Sequence, residues 1–246
     1  MSIFKSPRTA VRTAFVTLLA LAMVTGTVNI PMFAGITEAE AAVNFKDMSN
    51  HWAKNYVQKA VDYGFVDGYN DGRFRPDRPI TRAEFSKMLN LAIGNEGTAK
   101  IGFWDVDPDM WYYADVAKGV SAGYISGYSD TEFAPNKNIS RQEAAVMLAR
   151  IVPSNNNGTT LKPYGDYAAV GSWAVPALQR MTAKNYIGGY NDGNLHPRDN
   201  LTRAQAAKII DDIIDNEKIV KNNQRVVLSG VTLKDTIYAY IRRVGC

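Results

Sequence analysis

Residues 80–85 read Ile-Thr-Arg-Ala-Glu-Phe, and two related stretches follow, ISRQEA at residues 139–144 and LTRAQA at residues 201–206. In each, a Thr or Ser is followed three residues later by Glu or Gln, at the start of an apolar run. This is the capping-box pattern, in which the hydroxyl accepts a hydrogen bond from the third helical amide and the third side chain accepts one from the cap. The pattern predicts three helices that begin in the same way.

Behind each predicted cap, apolar residues recur at the same positions. They are Phe85, Met88, Leu89 and Ala92 in the first copy, Ala144, Met147, Leu148 and Ile151 in the second, and Ala206, Ile209, Ile210 and Ile213 in the third. The spacing i, i+3, i+4, i+7 places them on one side of a helix. We therefore expect this side to be buried in all three copies.

The similarity extends outward from these caps to a whole repeated unit. The shared columns are the tryptophans Trp52, Trp111 and Trp173, a Gly-Tyr pair ending in Tyr69, Tyr128 or Tyr190, and the aspartates Asp71, Asp130 and Asp192. An aromatic-x-Asp precedes each tryptophan, with Asp47, Asp105 or Asp166. In repeat 1, apolar residues with helical spacing follow the tryptophan, and Gly64, Gly123 or Asn185 stands where a left-handed C-cap belongs. Each unit therefore reads as helix, loop, helix.

The fold predicted from these units is mainly α. One unit buries too little surface to be stable alone, so three would share a core, most simply around a pseudo-threefold axis. We assign repeat 1 to residues 42–98, repeat 2 to 99–158 and repeat 3 to 159–215.

The first 41 residues have the layout of a secretory signal. Lys5, Arg8 and Arg12 precede a short apolar run at residues 14–27, and a small-x-small site allows cleavage before Ala42. A retained membrane anchor is the alternative, but the run is short for a span of about 20 residues. We expect export with no stable membrane insertion after cleavage. The single cysteine, Cys246, allows no disulfide within the chain.

Residues 216–246 lie outside the repeats. They are rich in β-branched residues, which predicts a short β tail that begins a truncated strand domain.

The arginines in the repeated phrase, Arg82, Arg141 and Arg203, are not required by the cap chemistry. At the first helical position their charge opposes the helix dipole. One interpretation is an ion pair with an aspartate of the repeats. The other is an anion site, in which a guanidinium fork and free helix amides hold a carboxylate. Each tryptophan is expected to lie half in the core and half in the wall of a groove. The tyrosine hydroxyls are expected to reach solvent.

Other chemistries are not supported. The loop at residues 67–78 fails as a calcium-binding EF-hand, because Arg78 stands where a glutamate is required. His51 and His196 pair with no nucleophile in the sequence, and the carboxylates of Asp105 and its neighbours suggest no glycosidase pair. A net charge of +4 with scattered basic residues does not indicate nucleic acid. We expect no enzyme activity and no cofactor.

The combined motif, aromatic-x-Asp, tryptophan helix, Gly-Tyr-x-Asp-Gly and Thr-Arg-Ala-Glu, resembles the S-layer homology (SLH) domain, present three times between Val43 and Ile213. The resemblance implies a spindle around a central helix bundle, and a non-covalent anchor for exported proteins on Gram-positive walls. Grooves between neighbouring repeats would bind secondary cell wall polysaccharide that carries a pyruvate ketal. The arginine of the family motif corresponds to Arg82, Arg141 and Arg203. The expected carbohydrate-binding set is completed by the repeated tryptophans, by the tyrosines of the Gly-Tyr pairs, and by Asp71, Asp130 and Asp192.

Departures from the motif indicate that the grooves differ. Repeat 2 has Ser-Arg-Gln-Glu and Ser-Asp-Thr-Glu, and repeat 3 has Gln205 and Asn185 at motif positions. Two alternatives remain at this point: a structural surface-layer subunit that associates with itself, and the anchor part of a truncated exoenzyme.

Overall fold

Six α-helices form the framework of the described part of the chain. The structure is a computed structural model, and it describes residues 44–153 and 160–217. The helices are α1 (Lys54–Asp62), α2 (Arg82–Ile93), α3 (Tyr113–Ser121), α4 (Arg141–Ala149), α5 (Val175–Ala183) and α6 (Arg203–Glu217), with a 3₁₀ turn at Tyr167–Ala169. Within these ranges the only β pairing is three isolated bridges. The mainly α fold class is confirmed.

Two predicted segments fall wholly or mostly outside this description. The signal segment, 1–41, lies outside the described residues, and so does the tail from residue 218 onward. The first two residues of the predicted tail, Asn216 and Glu217, belong to α6. In the ranges that are described, the helices are too short or too polar to cross a membrane.

The three predicted caps are present. The Thr81 hydroxyl accepts from the Glu84 amide at 3.2 Å, and the Glu84 carboxylate accepts from the Thr81 amide at 3.0 Å. Ser140 and Glu143 form the same box. Thr202 forms it with a carboxamide, since Gln205 Oε1 accepts from the Thr202 amide at 3.1 Å. The Glu-to-Gln change in repeat 3 therefore leaves the cap intact.

The first helix of each repeat also ends as predicted. The second residue after it has a left-handed backbone, with φ of 71° at Gly64, 77° at Gly123 and 59° at Asn185. Asparagine tolerates this conformation better than other side chains do, which explains its substitution for glycine.

The second helices supply most of the core. The predicted apolar columns are buried in α2 and α6, but α4 ends at Ala149, so that Ile151 lies beyond the helix and is only half-buried. Pro153 accounts for this difference. A residue before proline is excluded from the helical region by the pyrrolidine ring, which leaves Val152 outside the helix and shortens α4.

A closed ring of backbone hydrogen bonds joins the three repeats. The Ile80 amide donates to the Leu201 carbonyl at 3.0 Å, the Leu201 amide to the Ile139 carbonyl at 2.9 Å, and the Ile139 amide to the Ile80 carbonyl at 3.0 Å. All three side chains are fully buried. The residue that precedes each capping Thr or Ser is therefore the point at which the repeats meet.

Helix packing follows the same cyclic order. The second helix of each repeat packs on the first helix of the next, as α2 on α3, α4 on α5 and α6 on α1, and α2 also contacts α6. Equivalent contacts in the order 1–2, 2–3, 3–1 are what a pseudo-threefold arrangement requires. This order places the N-terminus of each second helix against the loop of the next repeat.

The aspartate of each aromatic-x-Asp motif shapes that loop. Asp47, Asp105 and Asp166 each accept two consecutive backbone N–H groups, at 2.5 to 2.9 Å. The second amide of each pair belongs to a non-glycine residue with positive φ: Arg75 at 58°, Ala134 at 57° and His196 at 51°. A left-handed backbone conformation at a non-glycine residue costs about 1 kcal/mol of folding free energy. The two charge-assisted hydrogen bonds to the aspartate offset this cost.

This arrangement gives a first testable prediction. Asp105→Ala should lower the free energy of unfolding by about 2 kcal/mol, because the amides of Phe133 and Ala134 lose their acceptor while Ala134 stays strained. Urea unfolding followed by circular dichroism measures this. The matched control is Asp109→Ala, at an exposed position of the same segment, which should change stability by less than about 0.5 kcal/mol. Equal effects of the two substitutions would contradict the role given to Asp105.

Candidate functional site

Each repeated arginine extends out of its own repeat into the next one. Nε of Arg82 donates to the Phe133 carbonyl at 2.8 Å, and the other two make the equivalent bond. The equivalents are Arg141 to Leu195 at 2.9 Å and Arg203 to Phe74 at 3.0 Å. A terminal nitrogen adds a second carbonyl, Gly188 for Arg141 and Asp67 for Arg203. The side chains are only 5–8% exposed.

The guanidinium of each arginine lies over the tyrosine of that next repeat. The guanidinium carbon is 4.4 Å from the Tyr128 ring centre for Arg82, 4.6 Å from Tyr190 for Arg141, and 5.0 Å from Tyr69 for Arg203. Three sites result, each between two repeats. We call them the Tyr69 site, the Tyr128 site and the Tyr190 site, after their tyrosines.

These contacts correct one expectation from the sequence. The arginine is needed by the architecture, because it joins two repeats through backbone carbonyls. The alternative of an ion pair with an aspartate is not what the structure has: within residues 44–153 and 160–217, Arg82, Arg141 and Arg203 form no ion pair. Burial lowers the pKa of all three, although an arginine stays protonated at physiological pH. Each site thus holds a nearly buried positive charge that no carboxylate neutralises by direct contact.

The tyrosine of each site is linked to the capping box of its own repeat. Tyr128 donates its hydroxyl hydrogen to Glu143, and the Tyr190 hydroxyl accepts from Gln205 at 2.8 Å. At the Tyr69 site, Arg78 bridges the two groups by donating to both Tyr69 and Glu84. The residue that caps the helix therefore also orients the tyrosine ring. Tyr128 and Tyr190 are each more than 40% exposed, so their rings remain accessible.

Two sites contain a further cation that the sequence interpretation missed. Lys137 Nζ lies 4.3 Å from the Tyr128 ring centre, and the Arg78 guanidinium carbon lies 5.8 Å from that of Tyr69. Both residues stand four positions before the repeated arginine, in a column that holds a different residue in each repeat and so gives no repeat signal. Arg75 also covers Tyr69, at 4.1 Å.

The electrostatics of the Tyr128 site favour full ionisation. Burial alone would raise the pKa of Glu143, but hydrogen bonds from the Ser140 amide and the Tyr128 hydroxyl hold it below its ordinary value. The hydrogen bond with Tyr128 raises the pKa of Lys137. The site therefore holds two cations and one carboxylate at neutral pH.

The Tyr190 site has a different second residue. His196 meets the Tyr190 ring edge-on, with ring centres 5.0 Å apart. Asp199 replaces the lysine or arginine of the other sites and lies 3.3 Å from His196, which is also 2.7 Å from Asp192. A hollow of about 580 Å³ surrounds these groups, and it is also lined by Asn191, Asn200 and Gln205.

The repeated tryptophans lie on the surface and not in the core. Trp52, Trp111 and Trp173 are 57%, 46% and 56% exposed. Lys87 of α2 lies 5.6 Å from the Trp111 ring, five residues along the helix from Arg82. Five residues of a helix span roughly 7–8 Å along its axis and turn about 140° around it. Trp111 and Tyr128 both belong to repeat 2 and lie beside α2, but on different faces of that helix.

The repeated aspartates mainly build turns. Asp71 accepts from the Arg73 amide at 3.1 Å and pairs with Arg75, and Asp192 accepts from the Asn194 amide at 3.0 Å. Asp130 is exposed, and in its loop Ser129 accepts from the Thr131 amide instead. The structure thus places these carboxylates beside the tyrosine loops.

Comparison with known families identifies the repeats. The S-layer homology domain matches this chain at residues 44–86, 102–145 and 163–207, which together make up more than half of it. The chain belongs to the S-layer homology domain family. The three matched segments each end within the first turns of α2, α4 or α6, so each includes one of the arginines described above.

Individual SLH proteins are similar to most of this chain. The Surface-layer 125 kDa protein of Lysinibacillus sphaericus is 31% identical over 210 residues, which cover 83% of this chain and 18% of that protein. An Endoglucanase of a Bacillus species is 29% identical over 192 residues, covering 75% and 20%. The Cellulosome-anchoring protein of Acetivibrio thermocellus is 30% identical over 184 residues, covering 70% and 38%. The chain therefore spans well under half the length of these relatives.

Family membership places this SLH chain outside the cell. It is a secreted, cell-surface protein associated with the cell wall, and its general role is anchoring at that surface.

Proposed function

We propose that this chain anchors an exported protein to the Gram-positive cell wall by binding pyruvylated secondary cell wall polysaccharide between its repeats. The carboxylate of the pyruvate ketal would approach the cations around the site tyrosines, and the sugar rings would lie along the groove. Binding without catalysis is the whole of the proposed role.

The observation that carries the proposal is the positive charge at the tyrosine sites. A nearly buried guanidinium without a contacting carboxylate is costly, and an incoming anion supplies the missing partner. At the Tyr128 site, Lys137 adds a second cation whose side chain is 58% exposed and so is free to reach a ligand. Charge-assisted hydrogen bonds of this type are about twice as strong as neutral ones, which suits recognition of a carboxylate.

The exposed tryptophans suit contact with a sugar chain, as the cations suit contact with a carboxylate. Trp111, which belongs to the same repeat as Tyr128, presents an indole face that is nearly half exposed beside Lys87 of α2. Exposed aromatic faces contribute apolar contact at low entropic cost, and a sugar ring offers C–H groups to such a face. Trp52 and Trp173 offer similar faces in their repeats.

The relatives support binding over catalysis. The part of the Endoglucanase that matches this chain makes up 20% of its length, and the Cellulosome-anchoring protein is matched over 38% of its own. The shared part is thus common to proteins whose names differ in activity. An anchoring role common to all of them accounts for this pattern.

The exposed cations allow a test that leaves the fold intact. The double variant Arg78→Gln/Lys137→Gln should bind purified cell walls at least about tenfold more weakly, because one charge-assisted contact is lost at each of two sites. Sedimentation of the protein with wall sacculi measures the affinity. Its Tm should change little, since half-exposed ion pairs contribute about 0–1 kcal/mol.

The matched control removes the same charge elsewhere. Lys100→Gln/Lys162→Gln neutralises two exposed lysines outside the tyrosine sites and should bind walls as the unsubstituted chain does. If both double variants lose the same affinity, binding depends on net charge alone and the tyrosine sites are not the carboxylate sites.

A further inference from the structure

We propose that the three sites are not equivalent, and that Asp199 makes the Tyr190 site unable to accept the ketal carboxylate that the Tyr69 and Tyr128 sites bind. The inference rests on the proposed function, because it concerns which of the same sites are active.

The first argument is the position of Asp199. It stands four residues before Arg203, where Arg78 stands before Arg82 and Lys137 before Arg141. Arg78 and Lys137 both lie over the tyrosine of their own site. Asp199 lines the hollow around Tyr190, so it occupies the equivalent place with the opposite charge.

The second argument is the balance of charge around each tyrosine. The Tyr69 site has Arg75, Arg78 and Arg203, and its carboxylates Asp71 and Glu84 each pair with one of these cations. The Tyr128 site has Arg82 and Lys137 against Glu143, while the exposed Asp130 of that loop pairs with neither cation. The Tyr190 site reverses this balance. Arg141 is its one permanent cation among the described residues, and the site also contains the carboxylates of Asp192 and Asp199, which both contact His196. An incoming anion is therefore attracted at the first two sites and repelled at the third.

The charges around each tyrosine also act on the pKa of the buried arginine at that site. Burial lowers the pKa of both Arg141 and Arg203, but their surroundings then differ. The negative charge of Asp199 acts to raise the pKa of Arg141. Glu84 acts in the same direction on Arg203, but there the positive charges of Arg78 and Arg75 act to lower the pKa. The position of Asp199 thus adds negative charge around Arg141, where the equivalent Arg78 adds positive charge around Arg203.

The neighbouring substitution fits the same account. Glu84 pairs with Arg78 at 2.9 Å, and Glu143 lies 3.7 Å from Lys137. In repeat 3, where the cation is replaced by Asp199, the third cap residue is the neutral Gln205. A glutamate there would add a third carboxylate beside Asp199 and Asp192. Repeat 3 therefore has Asp199 and Gln205 at the two positions where repeats 1 and 2 have an ion pair. Gln205 still forms the cap and the contact to Tyr190.

The arginines offer a readout that separates the sites. Each Nε–H is held by a backbone carbonyl, so the three groups should give distinct, slowly exchanging signals in ¹⁵N NMR. The probe is a methyl glycoside that carries a pyruvate ketal, and its methyl ester serves as the uncharged control. In the unsubstituted chain we expect the probe to shift the signals of Arg82 and Arg203 and to leave that of Arg141 unchanged.

The decisive variant is Asp199→Lys/Gln205→Glu, which copies the Lys137–Glu143 arrangement into repeat 3. It should make the Arg141 signal respond to the probe, and Lys137→Asp should abolish the response of Arg82. The single variant Asp199→Asn, which removes the negative charge without adding a cation, should give a response weaker than the double variant does.

The outcomes separate this inference from the proposed function. An Arg141 signal that shifts with the others in the unsubstituted chain overturns the inference alone. The same follows if a folded Asp199→Lys/Gln205→Glu chain still shows no response at Arg141. If no arginine signal responds in any variant, the carboxylate-binding function itself is wrong and the inference falls with it.

Discussion

Replacing Arg203 with alanine is expected to lower the free energy of unfolding by about 3 kcal/mol. The side chain is 8% exposed, and it donates to the carbonyls of Phe74 and Asp67 in repeat 1. Without it, two acceptors lose their donor and the planes of Tyr69 and Phe74 lose the guanidinium that lies over them. The contact joins the last repeat to the first, so its loss opens the ring of repeats at one junction.

Chemical denaturation of the full chain measures the free energy of unfolding. Two further variants separate the role of the guanidinium from that of charge alone and from the effect of an exposed substitution. Arg203→Lys keeps the charge but not the planar fork, so it should recover less than half of the loss. Arg73→Ala, at an exposed position in the same loop region, should change stability by less than about 0.5 kcal/mol. An Arg203→Ala variant as stable as the Arg73→Ala control would show that the arginine does not join the repeats.

This structural role changes how the arginines can be tested as ligand groups. A variant that loses wall binding because a junction has opened looks the same as one that has lost a ligand contact. Lys137 and Arg78 avoid the ambiguity, because they lie over the same tyrosines, are partly exposed, and form their side-chain ion pairs within their own repeats. The backbone carbonyls through which they contact the neighbouring repeat are kept in the glutamine variants.

The helix framework could be predicted because its signals are local. A capping box involves residues three positions apart, and a glycine or asparagine after a helix indicates a left-handed backbone conformation at that residue. The apolar column predicts a helix that reaches Ile151, but α4 ends at Ala149. The reason is also local, because Pro153 disfavours the helical conformation of the residue before it.

The sites were only partly predictable, because their contacts connect distant parts of the chain. The repetition of Arg82 indicated a role, but its partner Phe133 lies 51 residues away, and the partner of Arg203 lies 129 residues away. A sequence pattern cannot predict which carbonyl accepts these hydrogen bonds, since every residue has a backbone carbonyl. The charge reversal from Arg78 and Lys137 to Asp199 is present in the sequence. Its relation to a binding site depends on the position of the tyrosines next to these residues, which the sequence pattern does not predict.

Removal of the pyruvate ketals from the wall should have the largest effect on binding. Each ketal carboxylate is expected to interact with two cations at an active site, and losing such charge-assisted contacts costs about 1.5–3 kcal/mol per site. Two active sites on one chain bind the same polymer, so the losses combine through effective concentration. The affinity for the wall should fall at least about 100-fold, while sugar stacking on the tryptophans leaves a weak residual interaction.

The most direct test of the account compares binding of the full chain to wall sacculi before and after the ketals are removed by mild acid. Sacculi that are treated in parallel and then chemically re-ketalised with pyruvate control for other damage to the polymer. The account predicts that binding is lost on removal and restored by the new ketals. Undiminished binding to the ketal-free walls would contradict it, because the tyrosine sites would then have no carboxylate to recognise.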